Sequence, residues 1–262
     1  MEDLKDVYLT PLPESQYVKP FRLHYTQNGK QKNWDLLEVH DSVAVIVFNV
    51  TRKVMIFVKQ FRPAIYYNNV HPKDRQSDQI DTNKYPASLG IALEMCAGII
   101  DKNKSVEEIA QEEVLEECGY NVPLKKLQRI TSYRSGVGVQ GALQTFFYCE
   151  VTDEMKTEQG GGVDDEIIEV VEKTIPEIEA LVTSPGPISS PPSCLFALMW
   201  FLHYKADQFR KCGGVSVLTN QRTQPHYIDH LSQMELPHVA HLLTLFIRRC
   251  RAKGQKRNTH KK

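Results

Sequence analysis

The sequence predicts an α/β (α+β) chain: a mixed sheet sandwiched between helices, with an N-terminal β-hairpin extension before it and a basic tail after it. Three observations carry that prediction. Strand-length apolar runs recur between residues 21 and 171, helical spacing interrupts them once and then follows them, and a formal net charge of zero hides a marked asymmetry. From His203 onward there are 12 Lys and Arg against 3 Asp and Glu, so the body is acidic and the tail basic. At 262 residues and 41% hydrophobic, the chain has room for a true core, which excludes fibrous, collagenous and wholly disordered classes. Cys96, Cys118, Cys149, Cys194, Cys212 and Cys250 form no CxxC pair, which argues against zinc ribbons and a disulfide framework. No stretch reaches the roughly 18 apolar residues a membrane span needs. The opening residues, Met1 to Asp6, lack the basic and apolar pattern of a leader. A reduced, cytoplasmic protein with no membrane span is expected, and the acceptor triplet Asn49-Val50-Thr51 is then chance.

Taken in order, residues 21–37 hold two alternating runs around Asn28-Gly29, the pair that tight hairpin turns favour. Residues 43–48 and 54–58 are continuous apolar runs, expected as buried strands. Residues 66–90 turn polar and are too long for a simple connection, so a functional loop or a disordered insert is expected. Residues 93–97 suggest a short strand. Ser105 then offers an N-cap with Glu108 three positions on, and helical spacing continues to Gly119, a natural stop. Further strands are predicted over residues 127–133, 144–151 and 167–171, the last preceded by Gly160-Gly161-Gly162. Helices are predicted over residues 175–182 and 193–203, the second a core helix despite its Met199 and Trp200.

The helix ending at Gly119 carries the chemistry. At about 100° per residue, Glu113, Glu116 and Glu117 share an arc with Val106, Ile109 and Ala110. Glutamates on a helix ordinarily face water, yet here they coincide with the only apolar arc available for packing. Like charges at that spacing repel and lose solvation when buried, so they need a counter-charge. A hard divalent cation such as Mg²⁺ supplies it. Cys118 beside them is a small packing residue.

Residues 98–120 resemble the Nudix box: a glycine, a loop, then Glu113-Val114-Leu115-Glu116-Glu117-Cys118-Gly119-Tyr120 in register with the family's R-E-U-x-E-E-x-G-U ending. Two positions depart, since the usual loop Glu is Lys104 and the usual Arg is Glu112. In the family those two form a structural ion pair, and a reversed pair would preserve the bridge. Val58-Lys59-Gln60-Phe61-Arg62-Pro63, Glu94-Met95-Cys96-Ala97-Gly98 and Asp164-Asp165-Glu166-Ile167-Ile168-Glu169-Val170 extend the likeness to the ADP-sugar pyrophosphatase branch, over about residues 20–202.

That resemblance implies a Nudix fold over residues 43–209 and a hairpin and dimerisation segment over residues 1–42, and the charge asymmetry marks residues 210–262 as a basic, partly disordered tail. It implies that Glu113, Glu116 and Glu117, with the main-chain carbonyl of Ala97, hold Mg²⁺, with Mn²⁺ as a substitute. Glu117, Glu113 and Glu166 are then the catalytic carboxylates, and Asp164 is a second acid beside the substrate. The implied reaction is hydrolysis of the diphosphate bond of nucleoside diphosphate sugars, UDP-glucose to UMP and glucose 1-phosphate, with ADP-ribose as a further substrate. An ADP-ribose-preferring enzyme and a non-catalytic module that binds nucleotide or RNA are the alternatives. A homodimer with exchanged N-terminal strands is implied, and no DNA contact.

Around that site, Arg62 is a candidate phosphate clamp because guanidinium matches phosphate oxygens bidentately, and Arg134 is a second. The plain alternative for each is a surface arginine. Trp34 and Tyr25 in the hairpin offer faces for a nucleobase, although both residue types more often serve the sheet itself. His226 with His230, and His238 with His241, have metal-compatible spacing but no companion ligands, so solvated side chains are expected. An amphipathic pattern over residues 236–247 runs into Arg248, Arg249, Arg251 and Lys253, read as a basic tail whose contacts stay open.

Overall fold

In the computed structural model, described for residues 3–12, 14, 15, 17–76, 79–163 and 166–210, Asn28-Gly29 turns the chain back on itself. Both residues take positive φ, 53° and 72°, the twist that two antiparallel strands need from a short turn. Lys19–Gln27 (β1) and Lys30–Glu38 (β2) pair across it, from Lys19 opposite Glu38 to Gln27 opposite Lys30. The hairpin is a sheet of its own. A two-stranded ribbon is marginal without support. Here the Leu37 N–H donates to the Val139 carbonyl at 2.7 Å and ties the ribbon to a loop of the same chain.

Ser42–Asn49 (β3), Val54–Phe61 (β4), Ile91–Glu94 (β5), Cys96–Ile99 (β6), Gln128–Arg134 (β7), Leu143–Val151 (β8) and Ile168–Thr174 (β9) form one seven-stranded sheet. Its path runs β5-β4-β3-β8-β7, with β6 also on β3 and β9 on β4. β3 and β8 are parallel and the other pairings antiparallel, which makes the sheet mixed as expected. The continuous apolar run of β3 has a direct cause. Val43, Val45 and Val47 pack against Ile109, Ala110, Val114 and Cys118 of the helix Val106–Cys118 (α2). Ala44, Ile46 and Phe48 pack on the opposite side against Ile178 of Ile175–Thr183 (α3) and Leu198 and Phe201 of Pro192–Tyr204 (α4). Successive side chains point to opposite faces, so a strand covered on both stays apolar throughout its interior, here from Val43 to Phe48. Each fully buried Val, Ile or Phe of this kind contributes about 1.5–3 kcal/mol.

The structure revises three expectations. The described residues of 66–90 are not a disordered insert, because Pro63–Asn69 (α1) runs into the segment and Tyr66, Val70, Ile80 and Tyr85 bury together with Leu4 and Val7. The Ile80 N–H donates to the Val7 carbonyl at 2.8 Å, so the N-terminal segment is part of this second core. Residues 93–97 are not one strand: Met95 divides β5, which pairs with β4, from β6, which pairs with β3. The apolar face of α2 is wider than Val106, Ile109 and Ala110, since Val114 and Cys118 are buried too. Asn49 is buried and donates to Asp153 at 2.7 Å, which leaves its amide no room for a glycan. The tail candidates His226, His230, His238 and His241 and the amphipathic pattern over residues 236–247 lie outside the described residues.

Candidate active site

α2 is built to present its acids at a fixed depth. Ser105 accepts from the Glu108 N–H while the Glu108 carboxylate accepts from the Ser105 N–H, a closed capping box. Gly119 ends the helix at φ 79°, a left-handed conformation that costs glycine little. Just before that stop, Glu117 turns inward between α2 and β6 and accepts from the Ala97 N–H at 3.0 Å. Glu113 lies one turn back across Gly98. A Cβ at Gly98 would stand 2.0 Å from Glu113 Oε1, so only glycine lets that carboxylate cross the strand. The glycine-rich loop is pinned to the same helix end, where the Gly161 N–H donates to the Glu117 carbonyl at 2.9 Å and the Gly162 N–H to the Glu116 carbonyl at 3.0 Å. Its downstream acid, Glu166, accepts from the Val163 N–H at 3.1 Å.

These elements enclose a cavity of about 630 Å³ lined by Glu113, Glu116, Glu117, Glu166, Ala97 and Gly98 together with Arg62, Lys102 and Tyr17. Electrostatics there are strained. Burial pushes the Glu117 carboxyl up to about 8, helped by Glu113 and opposed by the Ala97 N–H. Burial, with Glu116 beside it, raises Glu113 to about 7. Across the loop, Lys104 binds Glu112, so the exchanged pair does form a bridge, and Lys102 stands 3.6 Å from the other Glu112 oxygen.

The remaining sequence candidates divide. Arg62 lines the cavity, but its Nε and Nη2 donate to the two Glu94 oxygens at 2.7 and 2.6 Å, so its bidentate edge meets a carboxylate. Trp34 and Tyr25 do not line this cavity within one chain, and the Trp34 indole N–H donates to the Gly138 carbonyl at 2.7 Å. Arg134, at the end of β7, donates to the Gly141 carbonyl at 2.9 Å and also stays outside. Asp164 lies outside the described residues. Sequence reasoning missed Tyr17, Glu94, Lys102, Ser42, Gln144 and Ser193 in the cavity wall. Glu94 had a signal only in three dimensions, because β5 brings it opposite Val58 on the strand that leads to Arg62.

The donor set suits a hard cation: carboxylates of Glu113, Glu116 and Glu117 and a main-chain carbonyl nearby are all oxygen ligands. Among the described residues no group of three or more such side chains stands preassembled at ligand spacing. Glu117 spends one oxygen on Ala97. The crowding of buried like charges against Gly98 is the observation that favours a cation there.

Over 212 residues the chain is 38% identical to uridine diphosphate glucose pyrophosphatase NUDT14 of Bos taurus, spanning 77% of this chain and 95% of that protein. The chain belongs to the Nudix hydrolases, in their sugar-nucleotide pyrophosphatase branch. The Mus musculus protein of the same name matches to the same extent. A GDP-mannose pyrophosphatase of Citrobacter koseri is 30% identical over 186 residues, 68% of this chain and 85% of that one. A crystal structure of an ADP compounds hydrolase superposes with a TM-score of 0.54 at 14% identity, covering 78% of this chain and 96% of that chain, a likeness of fold. No family model matches. In this Nudix chain the loop and helix charges are exchanged at Lys104 and Glu112 with their bridge kept.

Proposed function

We propose that the protein is a Mg²⁺-dependent hydrolase of nucleoside diphosphate sugars that converts UDP-glucose and water to UMP and glucose 1-phosphate. The observation that carries this is the convergence of Glu113, Glu116, Glu117 and Glu166 on one cavity that also holds Arg62 and Lys102. Four carboxylates alone would repel a diphosphate. When bound, Mg²⁺ offsets their charge and that of the phosphates and lowers the pKa of water. Glu113, Glu116 and Glu117 would hold it, with the Ala97 carbonyl. Glu166, on the loop pinned to the end of α2 and lining the cavity, would take the proton of the attacking water. The water oxygen joins one phosphorus, the bridging P–O bond breaks, and the departing phosphate oxygen keeps the electron pair. Ser42, Gln144 and Ser193 also line the cavity and give it alcohol and amide groups that suit sugar hydroxyls. Tyr17, 62% exposed, also lines the cavity, and its ring would stack on the base.

The same reading includes a cytoplasmic homodimer in which the hairpin meets its partner. Supporting it, Phe21, Leu23 and Trp34 stand exposed on the two-stranded sheet. The buried Cys96, Cys118, Cys149 and Cys194 are free thiols, as a reducing compartment requires. Among the described residues no helix is long and apolar enough to cross a membrane. Ranking kcat/KM for UDP-glucose, ADP-ribose and GDP-mannose at saturating Mg²⁺ tests the substrate assignment. UDP-glucose is expected first, and a strict preference for either of the others contradicts it.

A further inference from the structure

Two cationic side chains stand in the cavity wall, and they are held in different ways. Arg62 is fixed by two short hydrogen bonds to Glu94. Lys102 is held more loosely: its closest ion pair is to Glu112 Oε2 at 3.6 Å, beyond ordinary hydrogen-bond length. That oxygen is buried with no partner within ordinary hydrogen-bond length, while Lys104 binds the other one. Glu116 acts on the Lys102 ammonium most strongly, followed by Glu112, Glu113 and Asp101. The side chain is 47% exposed, so its flexible stem can swing within the cavity. An ammonium has three donors and a diphosphate has many acceptors.

We propose that Lys102 is an exchangeable counter-cation: it balances Glu112, Glu113 and Glu116 before a divalent cation arrives, yields to that cation, and then donates to the diphosphate of the substrate. The exchange of charges at Lys104 and Glu112 makes this possible. An acid on the helix leaves one oxygen for Lys102 to rest against, where the family's usual arginine would repel it. Both halves rest on the proposed function, the metal half on its Mg²⁺ site alone and the phosphate half on its substrate as well.

The two halves predict shifts of opposite sign. In Lys102→Met, Mg²⁺ alone, titrated calorimetrically into metal-free full-length protein, is expected to bind about three- to fivefold more tightly, the scale of a half-exposed charge pair. At saturating Mg²⁺ the KM for UDP-glucose is expected to rise roughly tenfold with kcat nearly unchanged, the scale of one charged hydrogen bond. Lys102→Arg should restore both toward the parent values. UDP binding at saturating Mg²⁺ gives the same phosphate readout if UDP-glucose is not turned over, which separates failure of this assignment from failure of the substrate reading. Weakening of Mg²⁺ and nucleotide together would mark Lys102 as structural support and overturn the proposal, as would either affinity holding constant.

Discussion

Glu117 is where stability and activity pull apart. Its carboxyl sits near 8 in the folded chain against an ordinary 4.5, because burial penalises the charge. Below about pH 4.5 it is protonated in both folded and unfolded chains and its contribution is intact. As pH rises from there through about 8, the unfolded chain loses its proton first and stability falls. Metal-free protein should therefore melt at progressively lower temperature between about pH 5 and about pH 9. Glu117→Gln should lose much of that slope in calorimetric scans with EDTA, and added Mg²⁺ should restore the parent at the alkaline end. A parent whose melting temperature is flat over this range would contradict the burial argument. Tyr17 makes a separate prediction. Tyr17→Ala should raise KM for UDP-glucose about fivefold or more with kcat held, and Tyr17→Phe should not, because stacking needs the ring and not the hydroxyl. Equal loss in both variants would point to a hydrogen bond instead. These two residues also mark the limit of sequence reasoning. Glu117 was legible because helix periodicity places it on an apolar arc, whereas Tyr17 precedes every periodic element and meets the cavity only through tertiary structure.

At the scale of elements, local rules worked where one element carried its own signal. The capping box at Ser105 and the stop at Gly119 gave α2 almost to the residue, and Asn28-Gly29 gave the hairpin. Residues 66–90 failed for the opposite reason. Only Tyr66 and Val70 of the four buried side chains share a helical spacing, too short a signal to read, and their packing partners Leu4 and Val7 are far away in sequence. The division at Met95 was equally hidden, because it depends on β5 and β6 finding different neighbours. The helix stop offers a direct test. A Cβ at Gly119 would lie 2.2 Å from the Glu158 carbonyl oxygen, on a residue already at φ 79°. Gly119→Ala should cost about 1–3 kcal/mol, read from the urea midpoint, and should also weaken Mg²⁺ binding as Glu116 and Glu117 shift. Unchanged stability would mean that the helix end adapts freely.

At the scale of the whole molecule, a sheet covered on both faces fixes the position of α2, and the hairpin stands apart as a surface with apolar side chains outward. If that surface is the dimer contact, Leu23→Asp should shift the sedimentation coefficient from dimer to monomer, and a parent that is already monomeric would refute the assembly. The central claim concerns the cavity itself, and the most direct measurement is Mg²⁺-dependent release of UMP and glucose 1-phosphate from UDP-glucose by the full-length protein, with Glu117→Gln alongside. Equimolar products that vanish with EDTA, and turnover at least about a hundredfold lower in the variant, are the expected result. Undiminished turnover in Glu117→Gln, or intact UDP-glucose with folded, Mg²⁺-saturated parent, would contradict the account.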